Sequence, residues 1–465
     1  MAFGSQLDQL QQIAFAQEAV FGTEETLDAA DVGLRCFGIG KEEEMDMEDD
    51  EEQSLTLSDT GANSGALSRG INFGSYLAGP ADGLITSDPN WYLLMRAGGW
   101  RVKALKQITI GAVTGGPYLH GESISQAVTG ATAKVFKDTA NGTTTLLVYD
   151  VTGSTDNSNV WTGADSAATA TPSTTDSNYG RVLMPHTDPL IELSIGAVAG
   201  GPYTAGEKVT GGTSAAIGYA YQATADGDAK IFLMHVDGTF QNAETLTGAD
   251  SSASATSSTD PSQSEIPSLT IYRNRHGHRH TAIGCRVSPN IELRSGREGR
   301  LNFSAMGANG GDSDVAAFSG TSEERVAGPR FKGISFALDS TTGLRIGAMS
   351  FSLENALAAI EDSQAASGIL GYEIGARNWR GTMNLDSVHK GTFDFQGSAE
   401  NETTIELDCT WGSVAGNQFG VYAKGMQIEG ITEGNRENIA TGEHACRFTK
   451  THSREDDLEL CFYLF

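Results

Sequence analysis

The fold class is decided by residues 267–307, PSLTIYRNRHGHRHTAIGCRVSPNIELRSGREGRLNFSAMG. Short runs rich in β-branched and aromatic residues alternate there with turn residues, which is typical of strands joined by tight turns. The same texture continues to the C-terminus in KGISFAL, GLRIGAMSFSL, GTMNLDS, GTFDFQ, TTIELDCTW, GVYAKGMQIEG and DLELCFYLF. Glycine is abundant, at 57 of 465 residues, while proline is only 11. We therefore predict an all-β fold, a sandwich or barrel with short helices.

Three segments are predicted to be helical. Apolar residues recur at helical spacing over residues 6–19, with Ser5 as the cap. In residues 89–97, Pro89 suits a first helical turn, and Trp91, Leu94 and Met95 would form the buried stripe. The third is residues 355–360, within ENALAAIEDSQAA.

An internal repeat lies in the middle of the chain. GAVTGGPYLHGE at 111–122 matches GAVAGGPYTAGE at 196–207, and TGADS at 162–166 recurs at 247–251, both offset by 85 residues. Each copy predicts a small β-domain, with strands at 131–136 and 143–151 in the first and at 217–221 and 230–236 in the second. The predicted domains are a discontinuous body (residues 1–102 and 264–465), a first inserted repeat (103–185) and a second (186–263).

The chain is acidic, with a formal net charge of −28. Such a chain repels polyphosphate and should not bind nucleic acid non-specifically. Residues 41–53, KEEEMDMEDDEEQ, concentrate this charge. Self-repulsion predicts a solvated loop or extended arm; a surface that repels DNA or docks on a basic partner is the alternative. Five scattered cysteines, no signal peptide and no long apolar run indicate assembly in a reducing cytosol.

Sequence motifs for catalysis are lacking: there is no Walker loop, nucleophile elbow or H-E-x-x-H, so no enzyme activity, catalytic residue, cofactor or metal is predicted. Residues 273–280, RNRHGHRH, are the densest basic cluster. Three alternatives remain for them: a hairpin tip with exposed basic residues, metal binding by His276, His278 and His280, or contact of the arginines with phosphate or an acidic partner. Trp161 is a candidate ligand contact in the first repeat, whereas Trp91, Trp100, Trp379 and Trp411 are expected in the core or at an interface.

The order of segments resembles the tail tube protein of long-tailed bacteriophages. The resemblance is carried by AFAQEAVFGTEET, by SDPNWYLLMRAGGW, by residues 267–307 and by FSLENALAAIEDSQAASGILGYEIGARNWRGTMNL. It covers the body and omits the repeats.

The resemblance implies a β-sandwich subunit of hexameric rings that stack into a hollow tube. Its partners would be copies of itself, the tape measure and other tail proteins. Genome DNA would pass without specific binding, the repeats would decorate the outside, and no membrane would be involved. The protein would be assembled in the bacterial host cytoplasm and located in the virion.

Subunit contacts are expected in the first helix, the arm at 42–52 and the hairpin at 269–287. The individual residues predicted for contact are Arg273, Arg275, Arg279, Glu42, Glu43, Glu44, Asp49 and Asp50. The acids predicted to face the lumen or a partner are Glu48, Glu51 and Glu52. Two other functions stay open: a surface protein whose β-repeats bind carbohydrate, and a polysaccharide hydrolase.

Overall fold

The computed structural model describes most of the chain. The described residues are 11–18, 21–27, 34–49, 62–80, 82–85, 87–139, 143–185, 191–221, 223–224, 230–237, 240–257, 266–315, 318, 326–450 and 460–465.

The described elements are almost entirely β-strands, and all their pairings are antiparallel. Before the repeats lie β1 (Gln11–Gln17), β2 (Cys36–Asp49), β3 (Ala62–Tyr76), α1 (Tyr92–Ala97) and β4 (Trp100–Thr109). The first repeat continues with β5 (Ser123–Gln126), β6 (Thr132–Val135), β7 (Thr145–Thr152), β8 (Trp161–Gly163), β9 (Thr169–Ala170) and β10 (Ser177–Pro185). The second contains β11 (Ile191–Ser194), β12 (Lys208–Gly211), β13 (Ile217–Ala220), β14 (Lys230–Asp237), β15 (Thr245–Gly248) and β16 (Ser254–Thr256).

The C-terminal part of the chain completes the body. Its elements are β17 (Leu269–Arg275), β18 (His278–Arg294), β19 (Arg300–Asp314), β20 (Ser335–Leu338), β21 (Thr341–Thr342), β22 (Ile346–Ser352), β23 (Ala356–Glu361), β24 (Ile369–Ala376), β25 (Arg380–Asp386), α2 (Phe395–Glu400), β26 (Ile405–Trp411), β27 (Phe419–Arg436), β28 (Ile439–Phe448) and β29 (Cys461–Leu464). The all-β prediction is confirmed. Neither described helix has the length or the apolar character needed to cross a membrane.

The body is organised around the long strand β18. One sheet runs in the order β2–β3–β19–β18–β17–β1. The far half of β18 also pairs with β22, which leads through β25, β28, β27 and β26 to β20 and β21. Side chains from both groups of strands share one hydrophobic core, in which Phe303, Trp379 and Trp411 are buried.

Two of the three predicted helices are strands. Residues 11–17 form β1, because they pair along their whole length with β17; Ile13 to Ala16 are buried on both faces, which removes the alternation that marks a strand. Residues 356–361 form β23, paired with β24. Residues 391–396, expected to be a strand, form a turn and the start of α2, where the Asp394 carboxylate accepts from the Gly397 amide.

The helix predicted at 89–97 is confirmed as α1. It buries Leu94 and Met95, and Trp91 just before it is also buried. The chain leaves the helix at Gly98 and reverses at Gly99, whose φ of 85° favours glycine.

The two repeats fold alike. In the first, the strand order is β4–β7–β6–β5–β8–β9, and in the second it is β11–β14–β13–β12–β15–β16. Tyr118 Oη donates to the Trp161 carbonyl at 2.8 Å, and Tyr203 Oη, 85 residues later, donates to the Leu246 carbonyl at 2.8 Å. The repeated sequence therefore encodes a repeated hydrogen-bond framework.

The chain divides into two compact units, Met1–Pro185 with Ser268–Phe465, and His186–Pro267. The first repeat belongs to the larger unit because β10 pairs with both β4 and β29. Phe136 of this repeat packs in a common cluster with Tyr422 and Tyr463 of the body. The second repeat forms the smaller unit and has its own core around Tyr203, Ile231 and Phe240.

Candidate assembly surface

The three segments predicted to make subunit contacts lie in one sheet. The segment expected to be the first helix is β1, the acidic segment up to Asp49 is β2, and the hairpin at 269–287 lies within β17 and β18. Within the described chain, β1 pairs only with β17 and β2 only with β3. Each of these outer strands therefore keeps one edge without a β-partner among the described residues. Such edges can pair with another chain.

The acidic run is an ordered strand as far as Asp49, so the prediction of a loop is wrong there. Its partner β3 explains why like charges do not prevent pairing. Each described acid of the run faces a neutral or basic residue across the ladder, and the pairs are Glu42↔Gly70, Glu43↔Arg69, Glu44↔Ser68, Glu48↔Asn63 and Asp49↔Ala62. Asp50, Glu51 and Glu52 lie outside the described residues, so their predicted roles stay predictions.

Glu42 and Glu43 are both exposed on β2 and have different partners. Glu42 Oε1 accepts from the Asn72 side chain at 3.1 Å. Glu43 Oε1 lies 2.8 Å from both Lys41 Nζ and Arg69 Nη2. The hydrogen bond from Lys41 is the main cause that lowers the pKa of Glu43, and Arg69 adds to it. Glu43 is therefore tied into the sheet, whereas Glu42 is more available to a neighbour.

Arg69 on β3 connects four strands of the sheet. Its side chain is only 2% exposed. Besides Glu43, Nη1 donates to the carbonyls of Thr281 and Gly311, at 2.9 Å each, and lies 2.8 Å from Asp312 Oδ1. The planar guanidinium suits this set of acceptors because it presents several donors in a fixed geometry. Sequence analysis did not identify Arg69, because its partners come from distant segments.

The predicted hairpin is confirmed: β17 and β18 are joined by His276 and Gly277, which have φ of 51° and 88°. Positive φ at both central residues is the pattern of a type I′ turn, whose twist matches that of the flanking strands. The hairpin tip thus presents His276 in the turn and His278 and His280 on the following strand.

The arginines of this hairpin are engaged within the chain. Arg273 is 6% exposed, and its Nε and Nη2 both donate to Gln11 Oε1 of β1, at 3.0 and 2.9 Å. Arg279 stacks over Tyr272 and Phe318, with 5.4 and 4.7 Å from its guanidinium carbon to the ring centres. Arg275 is half-buried at the end of β17, opposite Gln11 and His278. Arg273 and Arg279 thus hold the β1 edge and its surroundings together, and a contact with another subunit stays a prediction for all three.

An imidazole–carboxylate cluster lies beside Arg69. His280 Nδ1 is 2.9 Å from Asp312 Oδ1, and His278 Nδ1 is 2.8 Å from Asp314 Oδ1. Burial lowers the pKa of His280 and outweighs the opposing effect of Asp312; the charge of Lys41 also lowers it. For Asp312, hydrogen bonding to His280 and the charge of Arg69 outweigh burial and lower the pKa. Sequence analysis named the histidines but missed both aspartates, which the β18–β19 register supplies.

The repeats contain buried carboxylates that serve the fold. Glu207 is 1% exposed and accepts from the amides of Thr204 and Ser251 and from the Ser251 hydroxyl. Burial opposes its ionisation, but these hydrogen bonds prevail and lower the pKa of Glu207 to about 2. Glu122 occupies the same place in the first repeat and accepts from the Ser166 amide and hydroxyl. Trp161 is fully buried there and supplies no ligand surface, so that candidate is wrong.

Comparison with protein-family models and with curated proteins finds no match to this chain.

Proposed function

We propose that the chain is a structural, non-enzymatic subunit of a phage tail tube, which forms stacked hexameric rings around a bore that conducts DNA. The observation that carries the proposal is the sheet β2–β3–β19–β18–β17–β1. Each of its outer strands has one edge free of β-partners in the described chain. A subunit that adds its outer strand to that of the next one extends the sheet from chain to chain and leaves no open edge in a closed ring.

The charge of the chain supports a conducting role. The net charge is −28, and β2 alone carries six carboxylates. Like charge keeps DNA from adhering to a channel wall, because adhesion requires cations that replace the counterions of the phosphates.

Electron microscopy of the purified full-length protein tests the proposal. We expect rings or tubes with a central bore, and sedimentation at high protein concentration should show hexamers or larger species. A chain that stays monomeric under both measurements contradicts the proposal.

A charge reversal on β2 locates the contact. Glu42→Lys places on this edge the residue type that natural sheets use to prevent edge pairing, and we expect loss of rings with unchanged thermal unfolding of the monomer. Asp250→Lys, at an exposed position of the second repeat, makes the same charge change and should assemble like the wild type. If both variants assemble equally well, β2 is not the contact.

A second candidate function is carbohydrate binding by the second repeat. Tyr219 and Tyr221 lie two residues apart and are 38% and 55% exposed. The corresponding position of Tyr221 in the first repeat is Phe136, which is buried against Tyr422 and Tyr463. Binding of the full chain to a glycan array, abolished by Tyr221→Ala, would favour this function; Tyr221→Phe is the matched control because it keeps the ring.

A further inference from the structure

The tip of the β17–β18 hairpin brings together donors that suit a transition metal. The ladder places His278 opposite Asp314 and His280 opposite Asp312. Residues two apart on a strand point to the same face, so the four side chains share one face of β18 and β19. The candidate ligand atoms of His278, His280 and Asp312 all lie within 4.8 Å of one another.

The hydrogen bonds around the cluster orient these donors. His278 Nδ1 is held by Asp314 Oδ1 at 2.8 Å, while its Nε2 lies 3.9 Å from Asp312 Oδ2. Asp312 is in turn held through Oδ1 by Arg69 Nη1 at 2.8 Å, which leaves Oδ2 on the side of His278. A carboxylate on one nitrogen of a histidine and a metal on the other is the usual arrangement of metal-binding histidines.

The charges around the cluster also favour a cation. The charged groups that face the cluster are two cations, Lys41 and Arg69, and three carboxylates, Glu43, Asp312 and Asp314. One negative charge is therefore in excess while both imidazoles are neutral. Lys41 Nζ lies 3.3 Å from His280 Nδ1 and 2.8 Å from Glu43 Oε1. It can keep its ion pair with Glu43 when a metal takes its place beside His280.

We propose that His278, His280 and Asp312 form a binding site for a divalent first-row transition ion, with Asp314 orienting His278 and Arg69 orienting Asp312. Two imidazoles and one carboxylate form a set that binds Zn²⁺ and its neighbours in the series and leaves a fourth position open for water or another donor. Because the ligands come from both strands, the ion joins β18 to β19 near the hairpin tip.

Titration of Zn²⁺ into the full-length, tag-free protein near neutral pH tests the site, with Co²⁺ as a spectroscopic probe of coordination. We expect one ion per chain. His278→Asn should weaken the affinity at least tenfold, whereas His276→Asn, in the adjacent turn, should leave it unchanged. Equal affinity in His278→Asn and the wild type, equal loss in both variants, or no binding by the wild type would overturn the site.

Two further variants separate metal binding from folding. Asp314→Asn removes only the orienting carboxylate, whose side chain is 92% exposed, and should weaken Zn²⁺ binding about tenfold without affecting thermal unfolding in the presence of chelator. Lys41→Gln removes the competing cation and should strengthen binding. A purely structural cluster predicts neither change, and weaker binding by Lys41→Gln would contradict the proposed position of the ion.

Discussion

At the scale of single residues, Arg69 has the largest set of partners in the candidate surface. It donates from β3 to a carboxylate on β2, a carbonyl on β18 and a carbonyl and a carboxylate on β19. We expect Arg69→Met to lower the free energy of unfolding by about 2 to 3 kcal/mol, because two carbonyls and two carboxylates lose their donor together.

Chemical denaturation of the full chain measures this effect. Arg69→Lys should be intermediate, since one ammonium cannot reach all four acceptors. Arg294→Met, at an exposed position near the end of β18, is the control and should change stability by less than about 0.5 kcal/mol. Equal losses for Arg69→Met and Arg294→Met would show that the network contributes nothing.

Glu207 makes the stability of the second repeat depend on pH. Its folded pKa of about 2 lies below the ordinary value of 4.5, so the folded repeat favours the carboxylate. The resulting stabilisation is complete above about pH 4.5 and is lost as the pH falls toward 2. We expect Glu207→Gln to unfold at a lower temperature than the wild type at pH 7, with a difference that shrinks steadily below pH 4.5.

Thermal unfolding of the full chain, followed by circular dichroism, checks this dependence. Asp250→Asn is the matched control, because Asp250 is an exposed acid in the same TGADS turn. It should follow the wild type at every pH. A gap between Glu207→Gln and the wild type that is constant from pH 7 to pH 2 would refute the assignment.

At the scale of elements, the turn between β17 and β18 depends on Gly277. A Cβ at this position would find its nearest non-neighbouring atom at 3.7 Å, so space is available and only the φ of 88° opposes a side chain. We expect Gly277→Ala to destabilise the protein by about 1 to 2 kcal/mol. Gly391→Ala is the control, because its φ is not positive and no atom lies within 4 Å of the added carbon. Similar midpoints for both variants in urea would contradict the turn assignment.

Which elements could be predicted depended on how local their determinants are. The helix α1 and the hairpins of the repeats follow from neighbouring residues, and they were predicted correctly. The strands β1 and β23 were mistaken for helices because their pairing with β17 and β24 decides the conformation, and these partners are remote or weakly marked in sequence. The ordering of the acidic run has the same origin, since β3 supplies the neutral residues opposite its acids.

The candidate site was predictable only in part for the same reason. The spacing of His278 and His280 indicates that both lie on one face of a strand. Asp312 and Asp314 lie over 30 residues away, and only the β18–β19 register places them opposite the histidines. His276, which the sequence suggests as the third ligand, lies in the turn instead.

At the scale of the whole molecule, charge opposes the assembly that we propose. Chains that each carry a net charge of −28 repel one another, and the edge strand β2 is itself acidic. Hydrogen bonding between edges and burial of apolar surface must therefore exceed this repulsion. Salt screens charges beyond about 10 Å at 0.1 M and leaves short-range contacts nearly unchanged.

We therefore expect higher salt to favour rings and tubes. Raising NaCl from about 0.02 M to about 0.5 M should lower the protein concentration at which assemblies appear in sedimentation, and microscopy should show the same bore at both salt concentrations. Glu42→Lys should remain unassembled at both, which separates edge pairing from non-specific precipitation, since precipitation would include the variant as well. Dissolution of the assemblies by salt would instead mean that ion pairs between subunits dominate, and it would contradict the assignment of the contact to hydrogen-bonded strand edges.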